Sequence, residues 1–137
     1  MISLLDTHQH LVYREKASYG WVKDIPLLAE ENFILDDYKT LTEGLGIGGT
    51  LFMETGVDDP DYQQETRFVK SLADNSDNGM IGLISSIRPE SDEAFETWLE
   101  GTIEMGVVGY RRILHVMPDD TSQSDIFRKK RSYILNK

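Results

Sequence analysis

The sequence predicts an α/β fold of parallel strands joined by crossover helices, and three observations carry that prediction. Short apolar runs alternate along the chain with stripes at helical period. Capping and turn residues fall at the junctions between them. The later strands recur at steps of about 30 residues, close to the roughly 31 residues per unit of an eight-stranded β/α barrel. Four such units take up nearly all of the 137 residues. The expected architecture is therefore the first four or so parallel β/α units of a TIM (β/α)8 barrel. A complete doubly wound domain fits less well, because no glycine-rich phosphate fingerprint follows the first strand.

The elements follow in order. The apolar run from Met1 to Leu5 is the first strand and leads directly into "DTHQHL", residues 6 to 11. After a long segment, residues 12–34, Leu35, Tyr38, Leu41, Thr42 and Leu45 recur at three- and four-residue steps, which predicts a helix that Asp36 or Asp37 can cap. Gly44, Gly46, Gly48 and Gly49 end it, and "TLFME", residues 50 to 54, is a short buried strand. Asp59 before Pro60 marks a helix start, with Tyr62, Val69, Leu72 and Ala73 as its apolar stripe. "MIGLISSI", 80 to 87, is the third strand. Ala94, Phe95, Trp98, Leu99, Thr102 and Ile103 form the next stripe, capped by Ser91 and stopped at Gly106, before the fourth strand at 107–116. The expected division is a half-barrel over residues 1–127 and a basic tail over 128–137. That tail, with Arg128, Lys129, Lys130, Arg131 and Lys137, reads either as a frayed helix end or as a truncated or frame-shifted terminus.

Composition narrows the function classes. A net charge of −10 argues against a broad electrostatic grip on nucleic acid, so no nucleic-acid partner is expected. No apolar run reaches the ~18 residues of a membrane span, so no membrane partner is expected either. The first residues lack the pattern of a secretory leader, which makes a cytoplasmic location the default expectation. Without cysteine there is no thiolate ligand and no cysteine nucleophile.

Two of the three histidines, His8 and His10, stand one residue apart where the first strand ends. In a β/α barrel the reactive groups sit at the C-terminal ends of the strands. Strand alternation puts Asp6, His8 and His10 on one face and Thr7 and Gln9 on the other. Two neutral imidazoles so placed can ligate one divalent cation, with Asp6 or a backbone carbonyl fixing their tautomers from behind. On the last strand, parity puts Arg111, Ile113 and His115 on one face and Arg112 on the other, toward the helix layer or an acidic partner. The guanidinium of Arg111 suits a carboxylate or a carbonyl oxygen, with a structural ion pair as the plain alternative. His115 and Glu54 stand at strand ends, where a loop histidine and a solvated carboxylate are the plain alternatives. Tyr13 and Trp21 are candidates to line the mouth above the first strand, or simply to pack.

"DTHQHLVY", Trp21, "GGTLFMET" and "VVGYRRILHVMPDD" together resemble the amidohydrolase superfamily, and within it the amidohydrolase-related family that includes sugar-acid lactonases, a pyrone-dicarboxylate lactonase and some decarboxylases. The resemblance runs from about Ser3 to Phe127 and spans only the first half of that family's barrel. It implies that His8 and His10 bind a divalent metal, zinc or manganese, or hold substrate directly as in the metal-independent lactonases. It implies Arg111 as a substrate anchor, with Glu54 where relatives often carry glutamine. The family's later histidine and its aspartate base belong to strands beyond these four.

The expected activity is hydrolysis of a small carboxylated lactone or ester by the parent protein, with Arg111, His115, Glu54 and Trp21 meeting a small-molecule substrate. Two rivals stand beside it. One is a TatD-like metal-dependent nuclease, whose opening also resembles "DTHQHL". The other is a catalytically inactive half-barrel that forms a homo-dimer through its open sheet edges.

Overall fold

The computed structural model describes residues 3–113, with the side chains at 92 and 93 excepted. Within that span the chain forms β1 (Leu4–Gln9), α1 (Pro26–Ala29), α2 (Leu35–Leu41), β2 (Ile47–Met53), α3 (Tyr62–Ala73), β3 (Met80–Ser86), α4 (Asp92–Glu104) and β4 (Gly109–Arg111). The four strands make one parallel sheet in the order β1-β2-β3-β4. Helices cross over between successive strands, so the described residues form four parallel strands and three crossovers of a partial (β/α)8 barrel. The basic tail at 128–137 and His115 lie outside the described residues.

Burial separates the two faces of the sheet. Phe52 and Leu83 lie opposite one another in register and point into a cluster with Leu11, Leu35, Tyr38, Val69 and Met80, under α2 and α3. A smaller cluster of Ile87, Phe95 and Leu99 seats α4. Each crossover helix is also tied to a strand by a polar pair. Tyr38 donates to Asp6 Oδ2 at 2.7 Å, Thr66 and Ser85 hydroxyls meet at 2.8 Å, and Thr102 and Tyr110 hydroxyls meet at 2.8 Å. The segment after β1 returns over the sheet's C-terminal edge. A bridge between Val12 and Phe33 closes it, and Val12, Ala17, Tyr19 and Val22 pack with Val57, Tyr62 and Trp98.

Four local expectations are corrected. β1 ends later than the apolar run, because its pairing with β2 continues through the polar residues to Gln9. The cap of α2 is Ile34, and Asp37 serves from inside the first turn by accepting the Ile34 N–H at 2.9 Å. Pro60 opens a 3-10 turn over Asp59–Asp61 rather than α3 itself, which starts at Tyr62. Leu41, Leu45 and Ile103 lie outside the core despite their helical spacing. α2 is only seven residues long, so its stripe meets the sheet only at its N-terminal turns.

No described element packs over the other sheet face. Leu5, Ile81 and Val108 are exposed there, grouped around Gly49 and Gly82, with Leu51 beside them. No helix among the described residues is long and apolar enough to cross a membrane.

The face assignment has a direct test. Phe52→Ala should cost about 3–5 kcal/mol by emptying the helix-side core, whereas Leu41→Ala at a site 71% exposed should stay within about 0.5 kcal/mol. Urea denaturation compares the two, and equal losses would invalidate the assignment.

Candidate active site

The C-terminal ends of the strands surround a cavity of about 580 Å³. His10, Trp21, Glu54, Gly56, Arg88, Arg111 and Arg112 are among the residues lining it. Sheet geometry explains their meeting, since parallel strands deliver the residues that follow them to the same edge.

The histidine pair is held by two backbone devices. β1 pairs Asp6 with Thr50 and Gln9 with Phe52, so three steps of β1 span two of β2. That bulge breaks the expected alternation. Asp6 leaves the histidines' face for Tyr38 on α2, and its Oδ1 accepts the His8 N–H at 2.9 Å. The phenol and that amide hold the Asp6 carboxyl below its usual range. The second device is the Met53 carbonyl, 2.9 Å from His10 Nδ1. A carbonyl only accepts, so His10 carries its proton on Nδ1 and its Nε2 presents a lone pair. Asp6 therefore does not fix an imidazole tautomer; the Met53 carbonyl does. Burial keeps the His10 pKa below its ordinary value, against the favourable pull of the Met53 carbonyl.

His8 Nε2 and His10 Nε2 stand 3.0 Å apart. Two nitrogens on one tetrahedral zinc, each about 2.05 Å from it, stand roughly 3.3 Å apart. The pair thus fits as two neighbouring ligands of one ion. A catalytic zinc commonly takes three protein ligands, and no cluster of three acidic, histidine or cysteine side chains occurs among the described residues. The donors present form a half-site.

Glu54 is fully buried rather than solvated, at 1% exposure. Its Oε1 accepts Arg111 Nε, its main-chain oxygen accepts Arg111 Nη2 at 2.7 Å, and its Oε2 accepts the Gly56 N–H at 3.0 Å. Gly56 has φ +67°, a left-handed turn that brings its amide back onto the carboxylate. A Cβ there would press on Ile113 and touch the Trp21 ring at ordinary contact distance. Trp21, in turn, donates from its indole to the Thr55 carbonyl at 3.0 Å. Arg111 therefore is in an ion pair and also faces the cavity, with Nη1 as the nitrogen that has no partner among the described residues and is left to offer a ligand. Tyr13 packs on Phe68 and accepts the Leu35 N–H, away from the cavity. Arg112 has acidic partners in Glu90 and Asp59, yet it lines the same cavity as Arg111: β4 ends at Arg111, so strand alternation does not separate the two as expected.

Two residues that the pattern did not single out belong to this network. Arg88, just after β3, lines the cavity. Glu65 on α3 is 2% exposed and accepts the Thr55 N–H at 3.0 Å. Burial first, then the Glu54 charge, pushes the Glu65 pKa up to about 8. Its signal was in the sequence: Glu65 falls three residues after Tyr62 and four before Val69, on the apolar stripe itself.

No family model matches the chain, and no curated protein matches it either. Among solved structures it is similar to a probable 2-pyrone-4,6-dicarboxylic acid hydrolase from Acinetobacter baumannii, with TM-score 0.63 and 12% identity over 93% of this chain and 44% of that one. It is also similar to an amidohydrolase 2 from Bifidobacterium longum subsp. infantis, with TM-score 0.51 and 19% identity over 64% of this chain and 34% of that one. The chain thus spans less than half the length of either structure. At these identities the likeness establishes an amidohydrolase-like fold.

Glu65 yields a pH prediction. Its pKa is raised on folding, so the native state holds a proton that the unfolded chain releases above its ordinary value of 4.5. The stabilisation is complete below that pH and is lost as pH rises through about 8. The unfolding free energy of Glu65→Gln, relative to the parent, should therefore rise between pH 5 and 8. A difference independent of pH, in denaturant melts across that range, would mean that Glu65 is ionised in the folded chain.

Proposed function

We propose that this chain supplies the substrate-binding half of an amidohydrolase-related hydrolase whose parent protein opens a small carboxylated lactone or ester. The observation that supports this most directly is that His10, with His8 Nε2 3.0 Å from its Nε2, and Arg111 line one cavity. Arg111 Nη1 would donate to a carboxylate or carbonyl oxygen of the substrate. His10 keeps its lone pair toward the same space because the Met53 carbonyl holds its proton on the far nitrogen. Trp21 lines one side of the cavity.

A zinc or manganese ion held by His8 and His10 would supply Lewis-acid polarisation of the carbonyl. In a metal-free site His8 Nε2–H, now 3.0 Å from His10 Nε2, would instead donate to that oxygen. The resemblance assigns the water's proton acceptor to a later strand, and a general base typically contributes ~10²–10⁴-fold. The four units alone should therefore bind ligand but hydrolyse it at close to the uncatalysed rate.

Calorimetry with 2-pyrone-4,6-dicarboxylate, an uncharged sugar-acid lactone and zinc tests this, alongside a hydrolysis assay. The carboxylated lactone should bind more tightly than the uncharged one. Arg111→Gln should weaken it about tenfold, as the loss of one charge-assisted contact implies. Zinc should bind weakly and no better in His8→Ala. Equal binding of the two lactones would overturn the carboxylate reading. Tight stoichiometric zinc with turnover abolished by His8→Ala would overturn the half-site reading.

The open sheet face favours a second reading, a homo-dimer. Among the described residues β1 and β4 are the two edges of one parallel sheet, and a second copy related by a twofold axis along the barrel would pair each β1 with the other's β4. Leu5, Ile81 and Val108, exposed now, would be covered. Sedimentation equilibrium should then give a dimer that Ile81→Glu with Val108→Glu converts to monomer; a parent chain that is monomeric at tens of micromolar would rule this out.

A further inference from the structure

Arg111 is not the only guanidinium at the cavity. Arg88 follows β3 and Arg112 follows β4, and the side chain of each is only 8% exposed. The fold positions both. Arg88 Nη1 donates to Ser86 Oγ at 2.6 Å and to the Ile87 carbonyl at 3.1 Å, and its guanidinium lies 4.6 Å above the centre of the Tyr62 ring. Arg112 Nη2 donates to Glu90 Oε1, while its Nε is buried with no partner among the described residues.

The two arginines meet at one atom. Arg88 Nε at 2.7 Å and Arg112 Nη1 at 3.4 Å both donate to Asp59 Oδ1. Asp59 differs from them in kind: its side chain is 70% exposed, and it rides on the short 3-10 turn ahead of α3. A desolvated cation needs an anion, because unpaired burial of charge is costly. An exposed carboxylate has water as an alternative partner and gains little from a pair. The arginines are thus the fixed part of this cluster and the acid is the replaceable part. With Glu90 taking one of the two positive charges, one remains for whichever anion sits at the Oδ1 position.

We propose that Arg88 and Arg112 form a second anion seat at the cavity rim for the carboxylate of a small molecule, and that Asp59 is the chain's own occupant of it, displaced when that ligand binds. The ligand class rests on the carboxylate reading above. Arg111 and this seat line one cavity, so a ligand bearing two acidic groups can engage both. Asp59 then acts as a selectivity filter: a neutral ligand cannot displace it, and a carboxylate exchanges for it without a change in net charge.

The test is calorimetric titration of malonate, with acetate beside it, into the full chain. Asp59→Asn empties the seat and should tighten malonate binding about tenfold. Adding Arg112→Gln to that variant should remove the gain, with far-UV circular dichroism and melting confirming the fold of each. In the parent chain, ¹⁵N spectra should show the Nε–H signals of Arg88 and Arg112 shifting as malonate is added. Unchanged or weaker binding in Asp59→Asn, a gain that survives Arg112→Gln, or unmoved arginine signals would each overturn the seat. Zinc affinity and lactone turnover are not read in this experiment. Loss of the seat would leave the hydrolase reading standing, and absence of turnover would leave the seat standing.

Discussion

The mouth of the cavity depends on the buried Glu54. It stands directly after β2, and its amide donates to the Ile84 carbonyl of β3 at 3.0 Å. Its side chain and main-chain oxygen take two nitrogens of Arg111, which stands on β4. One residue therefore joins three strands at their C-terminal ends. A carboxylate with 2% of its side chain exposed is costly unless each oxygen is satisfied. Arg111 and the Gly56 amide satisfy them, and the left-handed turn at Gly56 exists to bring that amide into place. Replacing either partner would leave a charge stranded in a site with little water, so the pair and the turn stand or fall together.

The histidine pair follows from a different constraint. Without the bulge in β1, Asp6 would stand beside the imidazoles; with it, Asp6 closes on Tyr38 and braces the strand from the helix side. The same local irregularity lets Gln9 turn inward to Thr50, at 3.2 Å, while His8 and His10 remain together on the other face. The strand gives up regular pairing at its end and gains two nitrogens aimed at one point. Bulges commonly re-aim side chains beside functional sites in this way.

This contrast explains what the sequence made legible. Element order and type came through because they are repeated over many residues: helical stripes such as Phe95, Trp98, Leu99 and Thr102, and apolar strands separated by about 30 residues. Meeting points that depend on one residue's backbone did not. Alternation assumed an unbroken strand and so misplaced Asp6. Arg88 was not singled out, because only the fold brings Ser86, Tyr62 and Asp59 around it. Glu65 was readable in principle, since a carboxyl on an apolar stripe must be either neutral or paired. Leu41 and Ile103 show the reverse error: periodicity says which side of a helix is apolar, while helix length and the extent of the sheet decide how much of it is covered.

Burial acts oppositely on the two titrating groups beside the Glu54–Arg111 pair. It removes a proton from His10, whose pKa falls below its ordinary 6.5, and retains one on Glu65, whose pKa rises to about 8. Between those values both are neutral. Glu65 then does not compete with Glu54 for Arg111, and His10 does not repel that guanidinium. Below the window an imidazolium would stand beside Arg111 and lose the lone pair that the Met53 carbonyl directs at the cavity. Above it, a second buried carboxylate would stand beside Glu54 and share the Arg111 guanidinium with it. The arrangement of one ion pair between two neutral groups is thus self-consistent only from mildly acidic to mildly alkaline pH, and the same desolvation that builds the cavity sets both limits.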